Sequence, residues 1–193
     1  MVALFFALLT LQAALQPNAA IAAKAPGATQ QIDSTRSRAG FTVHPHWKKA
    51  MTGQFQSPTG TLDKLVDGRW RIDFSLQAAS VVFPDNQRIT RLTRSEAFFD
   101  AAHHPLVHFR SNPFSASLLR DGGSLEGVLD LRGVSRPVRF VFGKAGCLQP
   151  GVACPIHAAG RLSRNAFGMT RYAMLVRDDV DIAVDVRLRK PLL

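Results

Sequence analysis

From Trp70 to Gln77 the chain alternates without a break: Trp70, Ile72, Phe74 and Leu76 are apolar, while Arg71, Asp73, Ser75 and Gln77 are polar. A period of two sends successive side chains to opposite faces of an extended strand, so this segment buries one face and wets the other. The rule returns near the C-terminus. There Val180, Ile182, Val184, Val186 and Leu188 share one face, and Asp179, Asp181, Asp185, Arg187 and Arg189 share the other. Shorter alternations recur at Phe41 and Val43, at Val107 and Phe109, at Leu125, Leu129 and Leu131, and at Val138, Phe140 and Phe142. Asp67-Gly68, Asp121-Gly122-Gly123 and Pro150-Gly151 supply turn residues between such runs, which predicts hairpins in an antiparallel meander. The count comes to roughly eight strands, enough to close a barrel that is either filled by its own side chains or holds one ligand.

One stretch breaks the alternation. Asn86 to Asp100 places Ile89, Leu92, Ala97, Phe98 and Phe99 at loosely helical spacing between Pro84 and Pro105, and neither proline donates a ladder hydrogen bond. It is expected to form a short helix or lid. The expected fold class is therefore all-β, a single antiparallel barrel of about eight strands with one short helical segment. At 193 residues, and with 46% of them hydrophobic, the chain has material for one core and no second domain.

The N-terminal run Val2 to Leu15 is apolar except for Thr10 and Gln12, and Ala20-Ile21-Ala22 supplies small residues at signal-peptidase spacing. Residues 1–23 are read as a cleaved signal peptide, although no Lys or Arg precedes the run. An upstream start codon would account for that. Residues 24–30, rich in Ala, Pro and Gly, are read as a flexible lead, and 31–190 as the folded domain in the periplasm. Cys147 and Cys154 bracket Gln149-Pro150-Gly151, and in an oxidising compartment they are expected to close a short disulfide loop.

Twenty-four Lys and Arg against 14 acids give a net charge of +10. Such a surface suits anionic membranes or acidic partners. Export and the dispersal of the basic residues argue against nucleic acid, and no aromatic-plus-basic RNA-binding motif is present.

His44-Pro45-His46 and His103-His104 with His108 raise the question of metal. No acid stands at metalloenzyme spacing and there is no H-E-x-x-H, so no metal and no other cofactor is expected. Gly133-Val134-Ser135-Arg136-Pro137 lacks the glycine spacing of a nucleophile elbow, and Ser135 is assigned to a turn. No catalytic constellation emerges. The alternatives kept open are a periplasmic isomerase or hydrolase using His44, His46 or His108 as base, and a solid-cored interaction module. The chain has 13 phenylalanines and one tyrosine, a bias that fits apolar area with few polar handles. Periodicity leaves open whether that area is solid core or cavity wall.

Four stretches, in this order, resemble the YceI-like family of lipocalin-like, polyisoprenoid-binding bacterial proteins. The first is Ile32-Asp33-Ser34 with Phe41-Thr42-Val43 and Gly53-Gln54-Phe55. The second is Ser95-Glu96-Ala97-Phe98-Phe99-Asp100, continuing to Pro105, Val107-His108-Phe109 and Ser111. The third runs from Gly127 to Val138 through Asp130-Leu131-Arg132-Gly133, and the fourth is Ser163-Arg164-Asn165-Ala166-Phe167-Gly168-Met169. The chain departs from the family at Arg88-Ile89, often Arg-Asp there, and at Pro45, which aligns with a common histidine. The resemblance covers about residues 30 to 190 and implies an elongated barrel partly closed by the Phe98-Phe99 segment. It also implies a hydrophobic small-molecule ligand, such as an isoprenoid, a quinone tail or a fatty amide or acid, and no catalytic residues. On that analogy Phe41, Val43, Phe74, Phe98, Phe99, Phe109, Leu129 and Phe140 would line a cavity. The oligomeric state stays open, a dimer being one option.

Overall fold

A computed structural model describes residues 28–189; the expected signal segment and all but the last three residues of the lead lie outside it. Eleven strands form one curled sheet, and every neighbouring pair is antiparallel. In chain order they are β1 Thr29–Gln31, β2 Arg38–Pro45, β3 Met51–Phe55, β4 Thr59–Lys64, β5 Trp70–Gln77 and β6 Val81–Val82. Then come β7 Leu106–Ser111, β8 Gly123–Leu131, β9 Val134–Phe142, β10 Ile156–Ser163 and β11 Val176–Val186. The spatial order is β1-β4-β5-β7-β8-β9-β10-β11-β2-β3-β6.

Strong alternation marks strands correctly, and β5 coincides with the Trp70 to Gln77 run. The count rises from the expected eight to eleven because several strands carry too little apolar contrast to announce themselves. β1 and β6 are three and two residues long, and β10 is built on Ala158, Ala159 and Gly160. Thr29 and Gln30 pair with Asp63 and Leu62, so the sheet starts two residues inside the segment read as a lead.

The curl closes back on itself at one end. Directly after β1, Ile32 forms a bridge with Leu188, and the Arg189 N–H donates to the Gln31 carbonyl at 2.8 Å. The first strand thus pairs with β4 on one side while its continuation pairs with the chain leaving β11. Asp33 caps the turn that follows, its carboxylate accepting from the backbone N–H groups of Thr35 and Arg36 and from both their side chains. These donors hold its carboxyl well below the usual range.

Turn chemistry shifts one of three expected roles. β8 and β9 are joined by Arg132 and Gly133, both at positive φ (54° and 72°), as a tight two-residue hairpin requires. Ser135 therefore lies in β9, opposite Asp130, and its hydroxyl donates to that carboxylate; the turn role expected for Ser135 belongs to its neighbours. Asp121-Gly122-Gly123 lies between the neighbouring strands β7 and β8 as expected, but there it ends a short helix rather than making a tight hairpin turn. Pro150-Gly151 lies in the β9–β10 connection, where Cys147 and Cys154 form the expected disulfide.

The segment without alternation folds as α1, Gln87–Arg94, capped by the Asn86 side chain, which accepts from the Ile89 N–H at 3.0 Å. It stops six residues short of Asp100, because Ser95 turns extended and residues 95–104 run on as successive turns. A second helix, α2 at Ser117–Asp121, was not foreshadowed by any periodicity.

Arg164 shapes the long connection between β10 and β11. It is 3% exposed, and its guanidinium donates to the carbonyls of Met169, Arg171, Val176 and Arg177. Burial lowers its pKa, with Asp178 opposing, but a guanidinium stays charged. One side chain thereby ties two carbonyls of the connection to two at the start of β11. Arg164→Met is expected to cost on the order of 3 kcal/mol and to increase proteolysis of residues 165–176, read by denaturant melts and limited digestion. Replacing Cys147 and Cys154 by Ser should leave the fold intact and lower stability by about 2.5 kcal/mol, the loop-closure entropy of so short a ring.

Candidate functional site

The inward faces of the sheet enclose a cavity of about 540 Å3. Strand parity decides its walls. β2 contributes Phe41 and Val43, β5 Phe74, β7 Phe109, β8 Leu129 and β9 Phe140, while the segment after α1 contributes Phe98 and Phe99. All eight residues chosen from alternation and family likeness border this one space. Val180, Ile182, Val184 and Val186 of β11 complete the far wall, and Ile89 and Leu92 of α1 close a side.

Why the space stays open follows from pairs of large and small residues. Phe41 sits opposite Gly53 in the β2–β3 register, and Phe140 opposite Gly160 in the β9–β10 register. A Cβ on Gly53 would lie 2.7 Å from the Phe41 ring, one on Gly160 2.6 Å from the Phe140 ring, and one on Gly127 2.6 Å from the Phe109 ring. Each ring therefore lies flat along the wall over a residue with no side chain. Edge-to-face contacts hold them there, with ring centroids 5.1 Å apart for Phe109 and Phe140 and 5.6 Å apart for Phe41 and Phe99. The phenylalanines interlock around the wall and leave the space between them open, which favours a cavity over a solid core.

Phe98 and Phe99 divide their work. Phe99 is buried against Phe41 and Phe55, whereas Phe98 is half-buried and stacks on Tyr172 of the β10–β11 connection, with centroids 5.8 Å apart and planes 6° from parallel. Two polar contacts tie the same segments. Arg171 pairs with Glu96 at 3.2 Å, and the Arg132 guanidinium donates to the carbonyls of both Glu96 and Gly168. Tyr172, Arg132 and the rim residue Trp47 were missed by sequence reasoning, since each lies in a turn or loop, where no period marks the side chain's partners.

The histidines face elsewhere. His44 and His108 occupy the outward positions between Phe41, Val43 and Pro45 and between Val107 and Phe109, and each meets an aspartate, Asp181 or Asp73, at 2.8 Å. Asp181 also accepts from Arg161 at 2.7 Å, and that arginine, then His44, keeps its carboxyl below the ordinary value. His46 lies in the loop after β2, its ring near Trp47. None of His44, His46 and His108 lines the cavity: His44 and His108 face outward, and His46 sits in the rim loop beside Trp47. Among the described residues no three His, Cys, Asp or Glu side chains group to hold a metal ion.

Comparison with known proteins agrees with this architecture. The structure is similar to that of BcnA from Burkholderia cenocepacia, with a TM-score of 0.62, 16% identity and coverage of 82% of this chain and 99% of that one. It is also similar to a polyisoprenoid-binding domain from Saccharophagus degradans implicated in plant cell wall breakdown, with a TM-score of 0.61, 14% identity and coverage of 84% and 98%. A Campylobacter jejuni YceI protein aligns at a TM-score of 0.54 and 20% identity, covering 72% of this chain and 84% of that one. Identities this low speak to the fold alone. No curated protein matches the chain. The family profile for the YceI-like domain, however, matches residues 30–188, nearly the whole described barrel, and the chain belongs to the YceI-like family.

Proposed function

We propose that this protein is an exported carrier that holds one long apolar molecule inside its barrel and performs no chemistry on it. The observation that carries the reading is the open, phenylalanine-walled cavity of about 540 Å3. At roughly 30 Å3 per methylene-sized group, taken equal to a water's share of liquid volume, such a space takes about 18 groups. That corresponds to a fatty chain or a short isoprenoid, or to the first units of a longer tail whose remainder emerges at the mouth. Burying each methylene contributes about 0.8 kcal/mol, and ordering the ligand offsets a large part of the total, so micromolar or tighter binding is expected.

The polyisoprenoid-binding description of the Saccharophagus domain supports an isoprenoid or quinone tail as the ligand class. Support for export to the periplasm comes from the apolar N-terminal run and from the Cys147–Cys154 disulfide. The binding role is preferred to an isomerase or hydrolase because the three candidate histidines stand on the outer face or at the rim, each beside its own surface partner.

Native mass spectrometry of freshly purified protein tests the reading. It should show one lipid adduct per chain, and lipid-stripped protein should take up a polyprenyl or fatty probe; protein that arrives bare and stays bare would overturn the carrier. Exchanging His44, His46 and His108 for Gln is expected to leave lipid retention unchanged. Gly160→Val should push the Phe140 ring off the wall into the lumen. Lipid occupancy then falls several-fold while the circular dichroism of the barrel persists, an outcome measured on one sample by both methods.

A further inference from the structure

Two loops meet at the cavity. One joins β2 to β3 and runs His46-Trp47-Lys48-Lys49-Ala50; the other leads into β11 and runs Thr170-Arg171-Tyr172-Ala173-Met174-Leu175. They are side by side, since β2 and β11 are neighbours and the His46 N–H donates to the Leu175 carbonyl at 3.0 Å. Trp47, Lys48, Tyr172 and Leu175 border the cavity, so the pair of loops forms part of its mouth.

Their chemistry is unusual for a surface that meets only water. Trp47 is 75% exposed, Met174 83% and Leu175 51%, three large apolar side chains gathered on adjoining turns. Neither loop carries an acid, and both carry bases: Lys48, Lys49 and Arg171, the last paired with Glu96. Apolar prongs with a tryptophan among lysines match the interfacial zone of a bilayer, where indole sits at headgroup depth and ammonium groups meet lipid phosphates. An acidic protein surface would use the lysines but leave Met174 and Leu175 in water. The position supplies the second argument: an apolar chain leaving a membrane for this cavity avoids water only if the mouth itself touches the bilayer.

We propose that the paired loops 46–50 and 170–175 dock the cavity mouth onto an anionic phospholipid bilayer, with Trp47, Met174 and Leu175 inserted and Lys48 and Lys49 on the phosphates. The inference rests on the carrier reading for its purpose but on the exposed rim for its substance. It replaces a diffuse positive charge with one oriented face as the membrane contact.

The test uses the Trp70→Phe protein, in which Trp47 is the remaining tryptophan. With vesicles of mixed phosphatidylcholine and phosphatidylglycerol, its emission should shift to the blue and be quenched by brominated acyl chains; pure phosphatidylcholine should do far less. Lys49→Glu and Met174→Glu, both outside the cavity wall, are each expected to weaken vesicle partitioning roughly ten-fold or more, while lipid retained in native mass spectra stays constant. High salt should release the protein from vesicles without emptying it. Trp47 emission unchanged by anionic vesicles, or both variants binding like the parent, would refute the docking face. So would sedimentation as a dimer that covers Trp47 and does not bind vesicles. Vesicle binding by a protein whose cavity proves bare would sink the carrier and leave the docking face standing, whereas a lipid-loaded protein indifferent to vesicles would do the reverse.

Discussion

A sheet curled to this size must either fill its interior with side chains or surround a space, and the choice here turns on where three phenylalanine rings lie. Had Phe41, Phe109 and Phe140 pointed to the axis, they would have met in the middle and packed a solid core. Glycines beneath them, at Gly53, Gly127 and Gly160, let each ring recline on the wall instead. Edge-to-face contacts between rings then make that wall stiff. The result is apolar surface that water wets poorly and that none of the described residues covers, which is the physical basis for a ligand of matching character.

Opening such a space in one wall of a barrel requires the loops around it to be held by something other than the ladder. Arg164 does this for the β10–β11 connection by collecting its carbonyls from within, and Arg132 does it from the neighbouring hairpin by grasping Glu96 and Gly168 together. Phe98 and Tyr172 stack across the same gap. The rim is thus pinned by guanidinium groups and one aromatic pair, while its tips at Trp47 and Met174 stand free in solvent. Charge follows the same division of labour. The pairs His44–Asp181, His108–Asp73, His157–Asp185 and Arg161–Asp181 lie on outward strand positions where they keep the barrel wet, and solvent limits what each contributes to stability.

Much of this architecture was legible beforehand, for reasons that differ from element to element. Alternation marks β5 and β11 because their inward residues are large and their outward ones charged, and the same parity placed Phe74, Phe109 and Phe140 on the inner face. β10 escaped because its inward residues are Ala158, Gly160 and Leu162, two of which are too small to set a period against their neighbours. The turn at Arg132-Gly133 was passed over since arginine rarely adopts positive φ, and Ser135 took the role in its stead. α1 was visible through its apolar spacing, but its end was not, because Ser95 stops it and nothing in the residues from Glu96 to Asp100 forbids another turn.

The sequence by itself determined that the chain makes antiparallel strands with one oily face each, that two cysteines flank a turn, and that its aromatic residues are nearly all phenylalanine. These are local matters, set by period two and by residue chemistry. Only the tertiary structure decided that the oily faces surround a space, because that depends on which small residue lies under which ring across a strand pair. The same holds for the mouth, where Trp47, Arg164, Tyr172 and Met174 acquire their positions from contacts between loops distant along the chain, and no local pattern encodes such distances.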